Sequence, residues 1–246
     1  MLCTVGTAAG PLRGDELRLE LRLRSRARAT LVAAGASIAQ GRGDGRRARV
    51  DIAATLDEGA VLVADPGPLV ACAGTSVDVT LSLALAASAF VSWPEVLVLG
   101  RSAGPAGAAS VRWDAHRAGR AVLRQFVDLR DPRLLAWPGL VAGARVVATQ
   151  FVCGPQLTAR TVVRSPMSVA QRVDEHTMLL TVLGSDAAVV TGELDKLVAA
   201  AITGSTVPDL FYATARVERA DFGIANKKGM VGQTADATIG SIGQPT

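Results

Sequence analysis

Glu95 stands inside Trp93-Pro94-Glu95-Val96-Leu97-Val98-Leu99-Gly100-Arg101, an otherwise apolar run that ends in a Gly-Arg pair. An ionised carboxylate in such surroundings is costly without a partner. Arg101 or some other cation must therefore answer it. Asp15, Ser37 and Asp65 are further oxygen-bearing residues near strand ends or in apolar surroundings. If the segments that carry these four residues stack, their oxygens can line one interior and meet a cation there. Spacing alone leaves a second reading open, because an Asp at a turn often does no more than satisfy turn amides.

Other chemistries lack their parts. Nucleophilic catalysis needs a base beside the nucleophile, but His116 and His176 have no Ser or Cys motif around them and no Gly-x-Ser-x-Gly is present. Both histidines read as surface residues. A phosphate-binding loop needs Gly-x-x-x-x-Gly-Lys-Ser/Thr, and Gly204-Ser205-Thr206 lacks both the lysine and the spacing. Cys3, Cys72 and Cys153 are odd in number and far apart, against a disulfide framework or a closed zinc site. That usage points to a reducing compartment. The N-terminus shows no basic segment followed by an apolar core and a cleavage site, so a cytoplasmic location is expected. Arg13-Gly14-Asp15 and Arg42-Gly43-Asp44 spell an adhesion tripeptide, read here as chance in a chain rich in Arg and Gly.

The elements that must position these residues are strands. Val77 to Leu85 alternates apolar and polar residues with period two, the pattern of a strand with one buried face. Residues 81–100 hold a single charge over 20 positions, nominally enough to span a bilayer. Their alternation, Pro94 and Glu95 favour a strand instead, and no membrane partner is expected. Arg18, Arg22 and Arg24 alternate with Leu17, Leu19, Leu21 and Leu23, so the net charge of +4 reflects the solvated face of an amphipathic strand rather than a nucleic-acid site. Aromatics are only 4% against 49% hydrophobic residues. The core must therefore be built from Ala, Val and Leu.

Second strands begin at Ala29, Ala60, Ala89 and Ala121, at intervals of 31, 29 and 32 residues. A near-constant period implies two-strand units stacked on one another, each covering its neighbour's apolar face. A fifth, weaker copy begins at Ala144. The joints Gly41 to Gly45, Asp65-Pro66-Gly67-Pro68 and Gly104 to Gly107 carry turn residues. Val169 to Val173 reads as a short turn, and Thr191 to Val198 as a helix that stops near Gly204. The expected fold is all-β with minor α, a β-helix-like stack over residues 1–213 with a short helical C-terminal part. Residues 214–246 are polar, rich in Gly, Ala and Thr, and expected to be a poorly ordered tail.

Taken together, these segments resemble the urease accessory protein UreD family, called UreH in some organisms. The matching residues are Gly10-Pro11-Leu12-Arg13-Gly14-Asp15-Glu16-Leu17, Gly35-Ala36-Ser37, Ala60 to Leu69 with its Asp65-Pro66-Gly67-Pro68, and Trp93 to Arg101 ending in Leu99-Gly100-Arg101. Their order and spacing over Gly10 to about Gly154 carry the likeness. The sequence is N-terminally short against the family pattern and similar to compact actinobacterial forms.

The resemblance implies a non-enzymatic scaffold that joins UreF, and through it the GTPase UreG, to the urease apoprotein, so that nickel reaches the urease active site. It implies no tightly bound cofactor, only nickel in transit. Carried over by motif, Asp15, Ser37 and Glu95 lie on or near the nickel route, while Gly14, Asp65, Gly100 and Arg101 are motif positions with structural roles. Oxygen donors suit transit because they hold a borderline cation weakly. Two other classes remain for comparison. A β-solenoid enzyme acting on polysaccharide predicts several carboxylates and aromatics on one exposed face, which the aromatic poverty opposes. A structural repeat protein predicts a signal peptide and a terminal cap.

Overall fold

A computed structural model describes residues 1–5, 10–41, 46–101, 104–155 and 157–202. The joint at 42–45, the expected helix stop at Gly204 and the tail 214–246 lie outside the described residues. Along the chain come β1 (Leu2–Thr4), β2 (Glu16–Leu23), β3 (Arg28–Ala33), β4 (Ser37–Ala39), β5 (Ala48–Leu56), β6 (Val61–Asp65), β7 (Pro68–Ala71), β8 (Ser76–Leu85), β9 (Phe90–Leu99), β10 (Ala108–Arg117) and β11 (Arg120–Asp128). Two short helices, α1 (Pro132–Ala136) and α2 (Pro138–Val141), lead to β12 (Val146–Cys153), β13 (Val162–Ser165), β14 (Ser168–Arg172), β15 (Thr177–Gly184) and α3 (Ala187–Ala201).

Strands pair with the strand one repeat away rather than with their neighbour in the chain. In one sheet β2, β5, β8 and β10 run parallel, with Glu16 opposite Arg49, Ala48 opposite Val77 and Ser76 opposite Ala108. In the other, Arg28 pairs with Val61 and Val61 with Phe90, joining β3, β6 and β9 in parallel. The chain therefore climbs by one coil per repeat, as the spacing of Ala29, Ala60 and Ala89 predicts. Among the described residues this makes a five-stranded sheet ordered β11-β10-β8-β5-β2 facing a ten-stranded sheet that continues through β9, β12, β15, β14 and β13.

The fourth unit departs from the repeat. Ala121 starts β11, but β11 folds back antiparallel on β10 within the same sheet, with Arg117 opposite Arg120. The two-residue turn between them, Ala118 and Gly119, has φ of 48° and 76°, the geometry that a right-twisted hairpin demands. That turn ends the solenoid. The segment after Ala144 then takes the next place in the large sheet, because β12 pairs with β9, though antiparallel.

Two apolar layers result. One lies between the sheets and holds Leu56, Leu81, Leu83, Trp93, Leu97, Trp113 and Phe151. Fully buried Ala39, Ala60, Ala71, Ala89, Ala109 and Ala115 fill the close approaches in it, as the shortage of aromatics predicts. The other lies between the large sheet and α3, and includes Val61, Val63, Phe90, Met178, Leu180, Leu194 and Leu197. Strand β9 is buried on both faces, which is why it reads as a near-continuous apolar run.

Two local expectations need correction. Val169 to Val173 is not a turn: Val169 through Arg172 belong to β14, held between β13 and β15. Small Ser168 and Ala170 are buried on it, with Ala170 in the layer beneath α3. Helix α3 also starts four residues before Thr191, because the Asp186 side chain caps it by accepting from the Val189 amide at 2.9 Å.

Candidate functional site

Along β9 the side chains divide by parity. Val91, Trp93, Leu97 and Leu99 join the layer between the sheets, whereas Phe90 and Val96 join the layer under α3. Glu95 has the parity of the first set, so the fold aims its carboxylate at the inter-sheet interior. There it lines a cavity of about 20 Å³ with Thr149, Gln125, Trp113, Val127 and Leu129. This volume is on the scale of one water molecule.

Glu95 is 8% exposed. Arg101 does not answer it, contrary to the expectation from sequence. Arg101 is exposed beyond the strand end, and no cation forms an ion pair with Glu95 among the described residues. The reason is backbone direction: Gly100 at φ 90° turns the chain out of β9 before residue 101. Burial alone, with no compensating charge, pushes the Glu95 carboxyl up to about 7. Such a group is close to half protonated near neutrality.

Arg145 does the work expected of an arginine at this strand end, but on backbone. Its guanidinium donates to the carbonyls of Leu99 at 2.9 Å and Gly104 at 2.5 Å. Gly100 is required there, since a Cβ would lie 2.5 Å from the Arg145 Nη2 and 2.6 Å from the Pro105 carbonyl.

The other oxygen-bearing candidates sit apart from Glu95. Asp15 precedes β2, and its Oδ2 accepts from the Leu12 amide at 2.8 Å. Gly14 beside it has φ 78° and donates to the Arg47 carbonyl. Ser37 is the exposed first residue of β4, opposite Leu69 of β7, which in turn is opposite Leu97 of β9. Ser37 is thus two strand spacings, about 10 Å, from the register of Leu97. Asp65 ends β6 exposed, and its Oδ1 accepts from the Gly67 amide at 3.3 Å. No cluster of three or more His, Cys, Asp and Glu fit to hold a metal occurs among the described residues. The arrangement offers single oxygen groups at separate heights of the stack, one of them buried, rather than a coordination cage.

Sequence reasoning missed the neighbours of Glu95. Thr149 is directly opposite it on β12, and it is the one hydroxyl of the inward-facing set Val147, Thr149, Phe151. That break in an apolar alternation was the available signal. Gln150, of the opposite parity, donates to the Ser92 hydroxyl at 2.9 Å on the side facing α3.

No helix among the described residues is long and apolar enough to cross a membrane. The sequence model of the UreD urease accessory protein family matches residues 1–220. Urease accessory protein UreD 1 of Streptomyces griseus is 38% identical over 156 residues, covering 62% of this chain and 60% of that protein. Urease accessory protein UreD 3 of the same organism is 31% identical over 201 residues, 78% of this chain and 77% of its own. The UreD protein of Parafrankia sp. is 29% identical over 231 residues, 84% and 77% of the two chains. These relatives are named as accessory proteins rather than enzymes. With the family model matching residues 1–220 and a relative 31% identical over 77% of its own length, the chain belongs to the UreD family of urease accessory proteins.

Proposed function

We propose that this chain is a cytoplasmic, non-enzymatic scaffold of urease maturation, which binds UreF, and UreG through it, and presents them to the urease apoprotein. Nickel is its cargo and not a resident cofactor. Asp15, Ser37 and Glu95 are proposed to touch the cargo in transit, with Glu95 the inner contact. The observation that carries this reading beyond the family match is the buried, unpaired Glu95 carboxyl beside a small, mostly apolar cavity between the sheets. A group retained there at a folding cost is explained by a passing cation.

The test is a deletion strain of the source organism. Urease protein should persist in it with little nickel, and wild-type chain supplied in trans should restore the metal. Full nickel content in the deletion strain overturns the scaffold reading. In the same strain, Glu95→Ala should lower nickel loading while UreF is still retained in pull-down. Loading at the wild-type level with Glu95→Ala removes Glu95 from the route and leaves the scaffold standing.

A further inference from the structure

The outward face of the five-stranded sheet carries a trough that the nickel-route reading does not use. Its cavity of about 420 Å³ is lined by Arg49, Asp51, Asp78, Thr80, Arg112 and Phe126, among others. Register explains the shape. Asp51 of β5, Thr80 of β8 and Arg112 of β10 lie in one row across the strands, so the short Thr80 side chain lies between a carboxylate and a long guanidinium side chain.

Most of the charge on this face is already spent internally. Arg130 is held by Asp128 at 2.5 Å and by Asp78 at 3.3 Å. Arg47 faces Asp78 at 3.6 Å, Arg49 faces Glu16 at 3.3 Å and Arg124 faces Asp114 at 3.4 Å. Arg112 differs: it is exposed and pairs with no carboxylate among the described residues. Its guanidinium instead stacks over the Phe126 ring, 4.6 Å from the centroid, and Phe126 is itself 47% exposed. A guanidinium held over a ring by cation–π attraction keeps its N–H groups available to a bidentate acceptor.

We propose that this trough is a docking surface for an extended segment of a partner protein that presents a carboxylate to Arg112, with Phe126 as the adjoining apolar contact. An exposed arginine packed on an aromatic is the composition of an interface anchor. A nucleic acid fits less well. Among the described residues Arg112 is the one cation lining the trough without a carboxylate partner, and a phosphate chain requires a run of uncompensated cations.

The test uses the full chain and a fluorescein-labelled peptide of three Glu residues spaced by Gly, followed by fluorescence anisotropy at low salt. Arg112→Glu and Arg112→Ala should each weaken binding about tenfold or more, and Phe126→Ala several-fold. Arg120→Glu, the same charge change at the hairpin tip of the same sheet, should leave affinity unchanged. Each variant should unfold at the wild-type midpoint. Absence of peptide binding, equal weakening by Arg120→Glu, or an Arg112-dependent affinity that is as high for oligo-dT of matching charge overturns the proposal. The result does not depend on nickel delivery, so this surface and the metal route fail separately.

Discussion

Glu95 on β9 lies directly across from Thr149 on β12, and the two share with Gln125 a small cavity in a mostly apolar space between the sheets. A carboxyl so placed makes stability depend on pH in a definite direction. Its value rises from 4.5 to about 7 on folding, so the folded chain holds a proton that the unfolded chain loses. Stability from this group is complete below pH 4.5, falls as pH rises, and is lost above pH 7. Glu95→Gln should therefore change stability little at pH 4 to 5 and raise it by about 3 kcal/mol at pH 8. Urea denaturation at the two pH values measures the difference. An equal effect at both would mean that the carboxyl is not displaced from its ordinary range.

Asp128 should behave in the opposite sense. Its hydrogen bond with the Arg130 guanidinium lowers its carboxyl, so the pair stabilises the fold above the ordinary Asp range and loses that effect as pH falls through it. Arg130→Gln should cost about 1 kcal/mol at pH 7 and progressively less toward pH 3. Thermal unfolding across that interval would show the two curves converging on the acid side.

Gly100→Ala places a methyl group against the Arg145 guanidinium and the Pro105 carbonyl at a φ of 90°. Backbone has to move, and the cost should be about 2 kcal/mol or more. Arg145→Ala removes one of the three obstructions, the Gly104 carbonyl being the third, and two hydrogen bonds. The double variant should therefore be less destabilised than the sum of the single ones, which chemical denaturation of all three chains would establish.

Helix α3 covers the outer apolar layer of the large sheet, with Leu197 fully buried and Val189 69% exposed. Leu197→Ala should cost about 2 to 5 kcal/mol, whereas Val189→Ala should stay within about 0.5 kcal/mol of wild type. Asp186→Ala removes the cap on the Val189 amide and should cost about 1 kcal/mol. Amide exchange in the first turn of α3 should accelerate in that variant before exchange in β12 does.

Much of this architecture was legible without coordinates. The period between Ala29, Ala60 and Ala89 is the length of one coil, because a strand that must bury its face against a copy of itself repeats at the distance the chain takes to return. Alternation in β2 and β8 settled which residues face water, since a strand turns successive side chains to opposite sides. Gly100 and the Asp65 to Pro68 joint announced themselves through residues that only particular backbone conformations accept. The family motifs were readable for the same reason.

The outcome at Ala121 was not readable. Its segment alternates like the others, and only the Ala118-Gly119 turn, with both φ angles positive, sends it back along β10 rather than across to the second sheet. The partner of Glu95 was likewise undecided. Sequence placed a costly carboxylate in an apolar strand and demanded a cation, and proximity along the chain suggested Arg101. Tertiary structure decided otherwise, because side-chain parity turns Glu95 inward while Gly100 turns the chain outward. Burial without a partner charge raises the carboxyl instead, so that it holds a proton part of the time near neutrality. Local residue order sets which face a side chain takes; what stands beside it depends on a strand about 50 residues away, and no local pattern encodes it.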